Sequence, residues 1–216
     1  MTKVRVACYV DGFNVYHAID DMSRAQRGAL NHLKWVDLWA LMERFIDPNV
    51  HQISSITYFS AYMSWHSDRE ARHRQYVRAL EHRGVKPVMG RFKEKDAYCK
   101  NCKTTYMARE EKESDVNIAT HLISDAYEDR FDQAFLVSND SDLLGPLRLL
   151  RGRFPTKRLK IIAPPLRRHS KELWALGTHR AAIKPEHLER CLLPAEHKDA
   201  AGNFVFRRPA EYDPPN

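Results

Sequence analysis

The sequence predicts an α/β fold in which an open parallel sheet is flanked by helices on both faces. Short apolar strands alternate with amphipathic helices along the chain. The first strand is an almost continuous apolar run, as expected of a parallel strand that is buried on both faces. The chain has 216 residues, of which 43% are hydrophobic and 29% charged, so it suffices for one globular domain with a sizeable core.

The first half of the chain is predicted to form two strands and two helices. The apolar runs and the helical spacing of apolar side chains define these elements. They are, in order, a strand at 4–10, a loop at 24–31, a helix at 33–45, a strand at 53–61 and a helix at 68–83. The first strand therefore ends at Asp11.

The second half continues the alternation and adds an insertion. The predicted elements are a strand at 85–91, a charged loop at 92–111, a helix at 114–127 with Ser114 as its N-cap, a strand at 133–138, a helix at 143–150 and a strand at 158–162. Helical stretches at 170–176 and 185–192 complete a single domain at 1–192, and the tail at 193–216 is predicted to be irregular.

The charge balance favours a polyanionic partner. Lys and Arg number 35 against 28 Asp and Glu, and this net charge of +7 attracts RNA or DNA, although it can also serve solubility alone. The first residues lack the apolar run of a signal peptide, and no window approaches the roughly 20 apolar residues of a spanning helix. A cytoplasmic protein without membrane contact is expected, and a homo-oligomer stays open.

Acidic residues follow the predicted strands where each strand ends. Asp11 follows the first strand, and Asp140 and Asp142 follow the strand at 133–138. In open α/β sheets the ligand site lies beyond the carboxyl ends of the strands, so these side chains are expected to meet. Asp115 joins them if its helix begins at the same edge. Because carboxylates packed this closely repel one another, they predict a divalent cation, and oxygen ligands suit Mg²⁺ or Mn²⁺.

Each of these acids also has a purely structural interpretation. Asp11 can form a turn with Gly12, Asp115 can favour the helix dipole from the first turn, and Asp140 can cap the next helix. Taken singly, these roles are the simpler explanation. Taken together, three acidic motifs at strand ends and helix starts favour a metal site.

Three segments of the chain resemble the motifs of NYN domains, a branch of the PIN-like nucleases. They are YVDGFN at 9–14, EKESDVNIA at 111–119 and LVSNDSDL at 136–143. The resemblance spans roughly residues 4–163 and implies a Rossmann-like sheet in a PIN-like α/β/α sandwich, with cleavage of RNA that depends on Mg²⁺ or Mn²⁺. The positions that match the metal ligands of the family are Asp11, Asp115, Asp140 and Asp142.

Other positions of these motifs refine the expected site. Asn14 matches the motif asparagine and is counted with the catalytic residues, and Lys112 is assigned to neutralise charge on the phosphate. Two positions depart from the family. Asn139 stands where a glycine is common, and His121 stands where many relatives carry another acid. The second departure would weaken one metal position.

The loop at 92–111 contains a cysteine pair that suits either of two chemistries. Cys99 and Cys102 have the spacing of half a zinc knuckle, but tetrahedral zinc needs four ligands. The histidines considered as further ligands are His66, His73 and His82. Free thiols in a charged loop are the alternative to Zn²⁺.

The same loop is predicted to contact RNA. Its cations would hold the phosphate backbone and its aromatic rings would stack on bases, although a solvated charged loop is an equal alternative. The residues concerned are Lys93, Lys95, Lys100, Lys103, Tyr98 and Tyr106.

The sequence thus predicts a divalent-metal-dependent endoribonuclease. One ion held by Asp11 and Asp140 would activate a water, and a second held by Asp115 and Asp142 would stabilise the leaving oxygen. RNA is preferred over DNA through the family resemblance alone. The competing hypothesis is a non-catalytic RNA-binding or regulatory module that retains the fold, and His121 in place of an acid is its best argument.

Overall fold

A computed structural model describes residues 2–167 and 170–215. Within these residues seven strands form the main sheet, in the order β4-β3-β2-β1-β5-β6-β7. They are β1 (Val4–Asp11), β2 (His51–Ala61), β3 (Lys86–Cys99), β4 (Thr104–Lys112), β5 (Gln133–Val137), β6 (Arg158–Ala163) and β7 (His179–Ala182). Every neighbouring pair is parallel except β3 and β4, which are antiparallel. The predicted open and mostly parallel sheet is confirmed.

Helices cover both faces of this sheet, as predicted. They are α1 (Gly12–Ala25), α2 (Leu38–Glu43), α3 (Ser67–His82), α4 (Ser114–Tyr127), α5 (Leu144–Arg153), α6 (Lys171–Leu176) and α7 (Pro185–Glu189). Buried side chains of α1, α2, α3 and α7 form one core with the sheet, and those of α4, α5 and α6 form a second core on its other face. Short 3₁₀ segments lie at Asn31–Trp35, Ser141–Leu143 and Ala210–Tyr212.

Strand β1 lies at the centre of the sheet and is buried on both sides. Val6, Cys8 and Val10 belong to the core beneath α1, whereas Ala7 and Tyr9 belong to the core beneath α4. Successive side chains of a strand point to opposite faces, so a strand covered on both faces must be apolar at almost every position. This explains the continuous apolar run that the sequence shows.

The helical region after β1 differs from the prediction in two ways. Helix α1 was overlooked, although its buried apolar side chains at positions 15, 18, 19 and 22 have helical spacing. The helix predicted at 33–45 is divided, because Val36 forms an antiparallel bridge with Leu192. Helix α2 then starts anew, with the Asp37 carboxylate accepting hydrogen bonds from the backbone N–H groups of Trp39 and Ala40.

The charged loop predicted at 92–111 is wrong, because this segment is a β-hairpin. Residues 91–112, here called the hairpin arm, pair antiparallel from Arg91 opposite Lys112 to Cys99 opposite Thr104. Its base adjoins Gly90, where the pairing of β3 with β2 ends. The arm therefore extends past the carboxyl edge of the sheet. Most of its side chains are exposed, so no apolar alternation marks its two strands in the sequence.

The C-terminal segment predicted to be irregular also has regular structure. Strands β8 (Glu196–Lys198) and β9 (Phe204–Arg207) form a separate antiparallel hairpin. Phe206 of β9 is buried, with its ring centroid 6.1 Å from that of Trp35. This hairpin thus adds to the core beneath α1. No helix within residues 2–167 and 170–215 has the length and apolar character needed to cross a membrane.

Candidate active site

Asp11 lies at the carboxyl end of the central strand and is only 3% exposed. It is the N-cap of α1: Oδ1 accepts a hydrogen bond from the backbone N–H of Asn14 at 3.0 Å. Oδ2 accepts from the Asn14 side-chain amide at 2.7 Å and from the Ser138 hydroxyl at 2.8 Å. Burial raises the pKa of Asp11, while these hydrogen bonds oppose the rise. The carboxylate is therefore held in one orientation at the edge of the sheet.

Asp140 reaches the same edge because β5 pairs directly with β1. Val10 lies opposite Val137 in the parallel register, so both strands end at the same level. The Asp140 N–H donates to the Ser138 hydroxyl oxygen at 3.1 Å, and Asp140 Oδ1 accepts from the Asp142 N–H at 2.9 Å. The Ser138 hydroxyl thus links the segments that carry Asp11 and Asp140.

Asn139 has a structural role at the position where the family often has glycine. Its N–H donates to Asn14 Oδ1 at 3.3 Å, and its side-chain oxygen accepts from the Ser170 N–H at 2.7 Å. Ser170 is the N-cap of α6. The asparagine therefore ties the turn after β5 both to α1 and to the start of α6.

Asp115 faces the other acids from the first turn of α4. Partial burial raises its pKa to about 6, and the negative charges of Asp140, Asp11, Glu111 and Asp142 add to this rise in that order. A negative charge raises the pKa of a neighbouring carboxyl in this way only at short range, so the other four carboxylates lie near Asp115. The four predicted acids therefore share one electrostatic field, with Glu111 as a fifth member.

The chemistry of this donor set fits a divalent cation. All of the groups are carboxylates, which Mg²⁺ and Mn²⁺ prefer, and a cation would relieve their repulsion. As the side chains stand, no three His, Cys, Asp or Glu residues among 2–167 and 170–215 are grouped tightly enough to hold a metal ion. The metal-ligand roles of Asp11, Asp115, Asp140 and Asp142 stay predictions.

Glu111 joins the acidic cluster without having been predicted from the sequence. Its Oε1 accepts hydrogen bonds from the Ser114 N–H at 3.1 Å and from the Ser114 hydroxyl at 2.5 Å. The N-cap of α4 is Glu113, in a left-handed conformation with φ of 82°, so the assignment of Ser114 as N-cap is wrong. The sequence signal for this role is a glutamate three residues before the serine that begins the helix, a spacing that lets its carboxylate accept hydrogen bonds from that serine. Glu111 both fixes the start of α4 and adds charge beside Asp115.

Lys112 and His121 both contact side chains outside the group of four aspartates. The Lys112 ammonium pairs with Glu110 Oε2 at 2.9 Å, on the hairpin arm. The ring of His121 packs edge-on against Phe59, with 5.5 Å between the centroids. A contact of Lys112 with phosphate stays a prediction, and His121 contributes to packing beneath α4.

The residues predicted to contact RNA lie on the hairpin arm, but on two different faces of it. The register places Ala97 opposite Tyr106 and Tyr98 opposite Thr105, so the two tyrosines point to opposite faces. Tyr106 shares its face with Lys93 and Lys95. Both rings are exposed, Tyr98 to 61% and Tyr106 to 55%. The other predicted cations, Lys100 and Lys103, lie at the turn of the arm.

The face of the arm that carries Tyr98 packs onto the domain at its base. The Phe92 ring contacts Phe13 of α1 at 5.7 Å and Trp65 at 4.7 Å between centroids. The Arg109 guanidinium lies 4.8 Å from the centre of the Trp65 ring. These contacts anchor the arm beside α1, and they leave Lys93, Lys95 and Tyr106 facing away from the domain.

The cysteine pair lies at the tip of the arm with both thiols free. The pKa of the Cys102 thiol is lowered, mainly by its hydrogen bond with the Thr104 hydroxyl at 2.9 Å and next by its hydrogen bond with Cys99. Two of the proposed histidine ligands are engaged elsewhere: His73 contacts the Tyr58 hydroxyl at 3.1 Å, and the ring of His82 lies 3.9 Å from that of His197. In the described part of the chain the pair has no third ligand grouped with it.

Comparison with known proteins places this geometry in a family. The model of the NYN domain matches residues 5–176. One relative, the 6-hydroxy-3-succinoylpyridine 3-monooxygenase HspA of Pseudomonas putida, is 25% identical over 74% of this chain, and the chain spans only 60% of that protein. A protein of unknown function from Vibrio parahaemolyticus has a similar fold, with a TM-score of 0.60 and 20% identity over 88% of this chain and 97% of that one. Because the domain model covers most of its length, the chain belongs to the NYN domain family.

Proposed function

We propose that this protein is a ribonuclease that hydrolyses RNA phosphodiester bonds with Mg²⁺ or Mn²⁺, by endonucleolytic cleavage. The observation that supports it is the placement of Asp11 and Asp140 at the carboxyl ends of two neighbouring strands, with Asp115 near enough for their negative charges to raise its pKa. NYN domains generally act on nucleic acids, and nucleases of this kind generally use divalent metals. The net charge of +7 and the exposed cations of the arm suit a polyanionic substrate.

The four aspartates are the residues that would hold the cation. A bound divalent ion supplies a water of lowered pKa and stabilises the charge that develops on the phosphate and the leaving oxygen. Asn14 and Ser138 fix the orientation of the Asp11 carboxylate. Binding a cation would therefore cost little further loss of side-chain entropy at Asp11. Glu111 adds negative charge and so strengthens the demand for a cation beside Asp115.

The basic face of the hairpin arm is the proposed contact for the RNA backbone. Lys93 and Lys95 share this face with Tyr106, which offers an exposed ring for a base. Arm and acidic edge lie on the same side of the sheet, because the arm extends past the ends of the parallel strands. The arm therefore brings cations to the edge of the sheet that carries the acids, and a strand held on its basic face would have to pass around the arm to reach Asp115.

The test is the substitution Asp140→Asn in purified protein, assayed on single-stranded RNA with Mn²⁺ and Mg²⁺. Wild-type protein should cut the RNA and stop with EDTA, and the variant should lose at least a hundredfold in rate. The matched control is Asp47→Asn. Asp47 Oδ1 accepts a hydrogen bond from the Asn49 N–H at 2.9 Å, just as Asp140 Oδ1 accepts one from the Asp142 N–H. Asp47, however, does not belong to the acidic edge. Cleavage that survives Asp140→Asn, but disappears when the protein is removed by an antibody to its tag, would refute the assignment, whereas cleavage that survives both belongs to a contaminant.

A second candidate function is RNA binding without cleavage. Two observations favour it: the ring of His121 packs against Phe59, and both Asp11 oxygens already accept hydrogen bonds. Wild-type protein that binds RNA, yet cuts none of several substrates with either metal, would establish this candidate.

A further inference from the structure

The outer edge of β4 is a long strand edge to which no other strand is added. Within the part of the chain that the structure describes, β4 is the last strand of the seven-stranded sheet and pairs only with β3. Its nine residues contain no proline or glycine, and its register with β3 has no bulge. Proline and bulges are devices with which proteins block an exposed edge, whose N–H and C=O groups can otherwise pair with another chain. The edge of β4 is therefore open to a further strand.

The outer part of the hairpin arm is a ribbon of two strands with exposed aromatic and apolar side chains. The ring of Phe92 and the guanidinium of Arg109 hold its base against the domain. Towards the tip, Tyr98, Tyr106 and Met107 are all more than half exposed. A ribbon of two strands is at best marginally stable in water, and further strands or a covering helix are normally needed. A strand added to the edge of β4 would supply this support.

The charges of β4 are arranged so that the strand is complementary to a second copy of itself. Residues 104–108 are uncharged, and all of the charged residues follow in 109–112. When the strand pairs antiparallel with its copy over its whole length, the uncharged half of each strand therefore faces the charged half of the other. The opposed pairs are Thr104 with Lys112, Thr105 with Glu111, Tyr106 with Glu110, Met107 with Arg109, and Ala108 with itself. Like charges directly opposite one another destabilise a sheet, and this register contains no such pair.

Other symmetric registers of the same two strands are less favourable. A twofold axis at Arg109 would place this residue opposite its own copy, and an axis at Glu110 or Glu111 would oppose two glutamates. An axis at Met107 opposes no like charges, but Glu111 and Lys112 then lie beyond the paired residues. The register that pairs all nine residues is therefore also the one that the charges favour, and a single register is what a specific interface needs.

We infer that two copies of this chain form a dimer in which the outer edges of their β4 strands pair antiparallel, with Ala108 on the twofold axis. The two hairpin arms then form one ribbon of four strands. The same surface is used by both copies, so the assembly closes at two, as in most homodimers. Because the axis stands perpendicular to the ribbon, the face with Lys93, Lys95 and Tyr106 lies on the same side in both copies. The dimer therefore doubles this basic face, and it does not depend on the proposed ribonuclease function.

The first experiment measures the monomer–dimer equilibrium of the full-length protein by sedimentation over a range of concentrations. Thr104→Lys combined with Thr105→Glu sets like charges against Lys112 and Glu111 of the second copy, and should raise the dissociation constant about tenfold. Thr104→Glu combined with Thr105→Lys has the same composition and net charge, but it sets opposite charges against these residues and should lower the dissociation constant. A wild-type protein that is monomeric at every concentration would overturn the proposal, as would equal dissociation constants for the two double variants.

The second experiment tests the register by disulfide formation between two copies. Both test proteins carry Cys99→Ser and Cys102→Ser, so that the thiols at the tip cannot react. Ala108→Cys should then give a covalent dimer with glutathione disulfide as oxidant, because directly opposed Cα atoms lie about 4.5–5.5 Å apart, within reach of a disulfide. Thr104→Cys is the control, since each copy of this position lies eight residues, or about 26 Å, from the other along the paired strands.

The control should stay monomeric on a non-reducing gel. If Thr104→Cys links as readily as Ala108→Cys, or if Ala108→Cys does not link at all, the proposed pairing of the β4 edges is wrong.

Discussion

Replacing Asp115 by Asn should stabilise the metal-free protein above pH 6. The folded protein raises the pKa of this carboxyl from its ordinary 3.8 to about 6, so ionising it works against folding. This difference of about two pH units corresponds to about 3 kcal/mol at 1.36 kcal/mol per unit. Asp115 is only half-buried, and solvent screening reduces the figure to about 1–2 kcal/mol.

The asparagine also loses a favourable interaction at the start of α4. An acid in the first turn of a helix contributes about 0.3–1 kcal/mol through the helix dipole. The net gain in the free energy of unfolding is therefore about 1 kcal/mol, or about 2–4 °C in melting temperature for a chain of this length. The gain should be complete above pH 6 and disappear below pH 4, because a raised acid pKa lowers stability only as pH rises through that window.

Urea denaturation in EDTA at pH 4, 6 and 8 measures this difference. Asp132→Asn is a control of opposite sign, because hydrogen bonds from Arg5 lower the pKa of Asp132. That variant should be less stable than wild type at pH 8, with a smaller difference at pH 4. In Mn²⁺ the wild type should gain more stability than Asp115→Asn, since only it keeps the full set of acids. An Asp115→Asn variant that is less stable than wild type at pH 8 without metal would refute the electrostatic argument.

Three further predictions address the glycine beside the acids, the arm and the cysteines. Gly12→Ala should cost about 1–3 kcal/mol in urea denaturation, because its Cβ would lie 2.5 Å from the Tyr58 ring and 2.7 Å from the Phe59 carbonyl oxygen. Gly145→Ala, with nothing within 4 Å, should be neutral or stabilising, and equal costs at both sites would contradict the packing argument. Reversing the charge of Lys93 and Lys95 together should weaken the binding of single-stranded RNA. The slope of log K against log salt concentration should become shallower by about 1.4, because each lost phosphate contact accounts for about 0.7. Tyr98→Ala, on the other face of the arm, should leave this slope unchanged, and a flat slope in wild type would argue against a nucleic-acid partner. Elemental analysis should find far less than one zinc per chain, and Cys99→Ser with Cys102→Ser should keep the melting temperature, since the pair has no third ligand in the described residues. Stoichiometric zinc with a lowered melting temperature would contradict this.

The fold class and the acidic edge were predictable because both depend on local sequence signals. A strand covered on two faces must be apolar throughout, so 4–10 marked the centre of the sheet. Neighbouring parallel strands end at the same edge of a sheet, so the proximity of Asp11 and Asp140 follows from the two strands alone and does not depend on the helices. Asp115 followed from its place in the first turn of a helix that starts at that edge.

The hairpin arm was unpredictable because its strands lie in solvent. Period-two patterning of apolar residues marks a strand only when one face is buried, and the sequence of 92–111 does not alternate in hydrophobicity. Only the register of pairing shows that Tyr98 and Tyr106 point to opposite faces. The C-terminal hairpin differs from the prediction for a related reason: Phe206 is the one fully buried side chain in its two short strands, which is too little to mark a strand in the sequence.

The sequence by itself determined the α/β class, the family, and the positions of three aspartates at strand ends and of Asp115 in the first turn of a helix, since each follows from periodicity and from motifs within one segment. Only the tertiary structure decided which side chains surround them. Glu111 joins the acids through the turn into α4, and a cavity forms where Gly12, Tyr58 and Tyr212 meet from three distant segments. Contacts between such segments depend on how layers pack, and no spacing along a single segment encodes them.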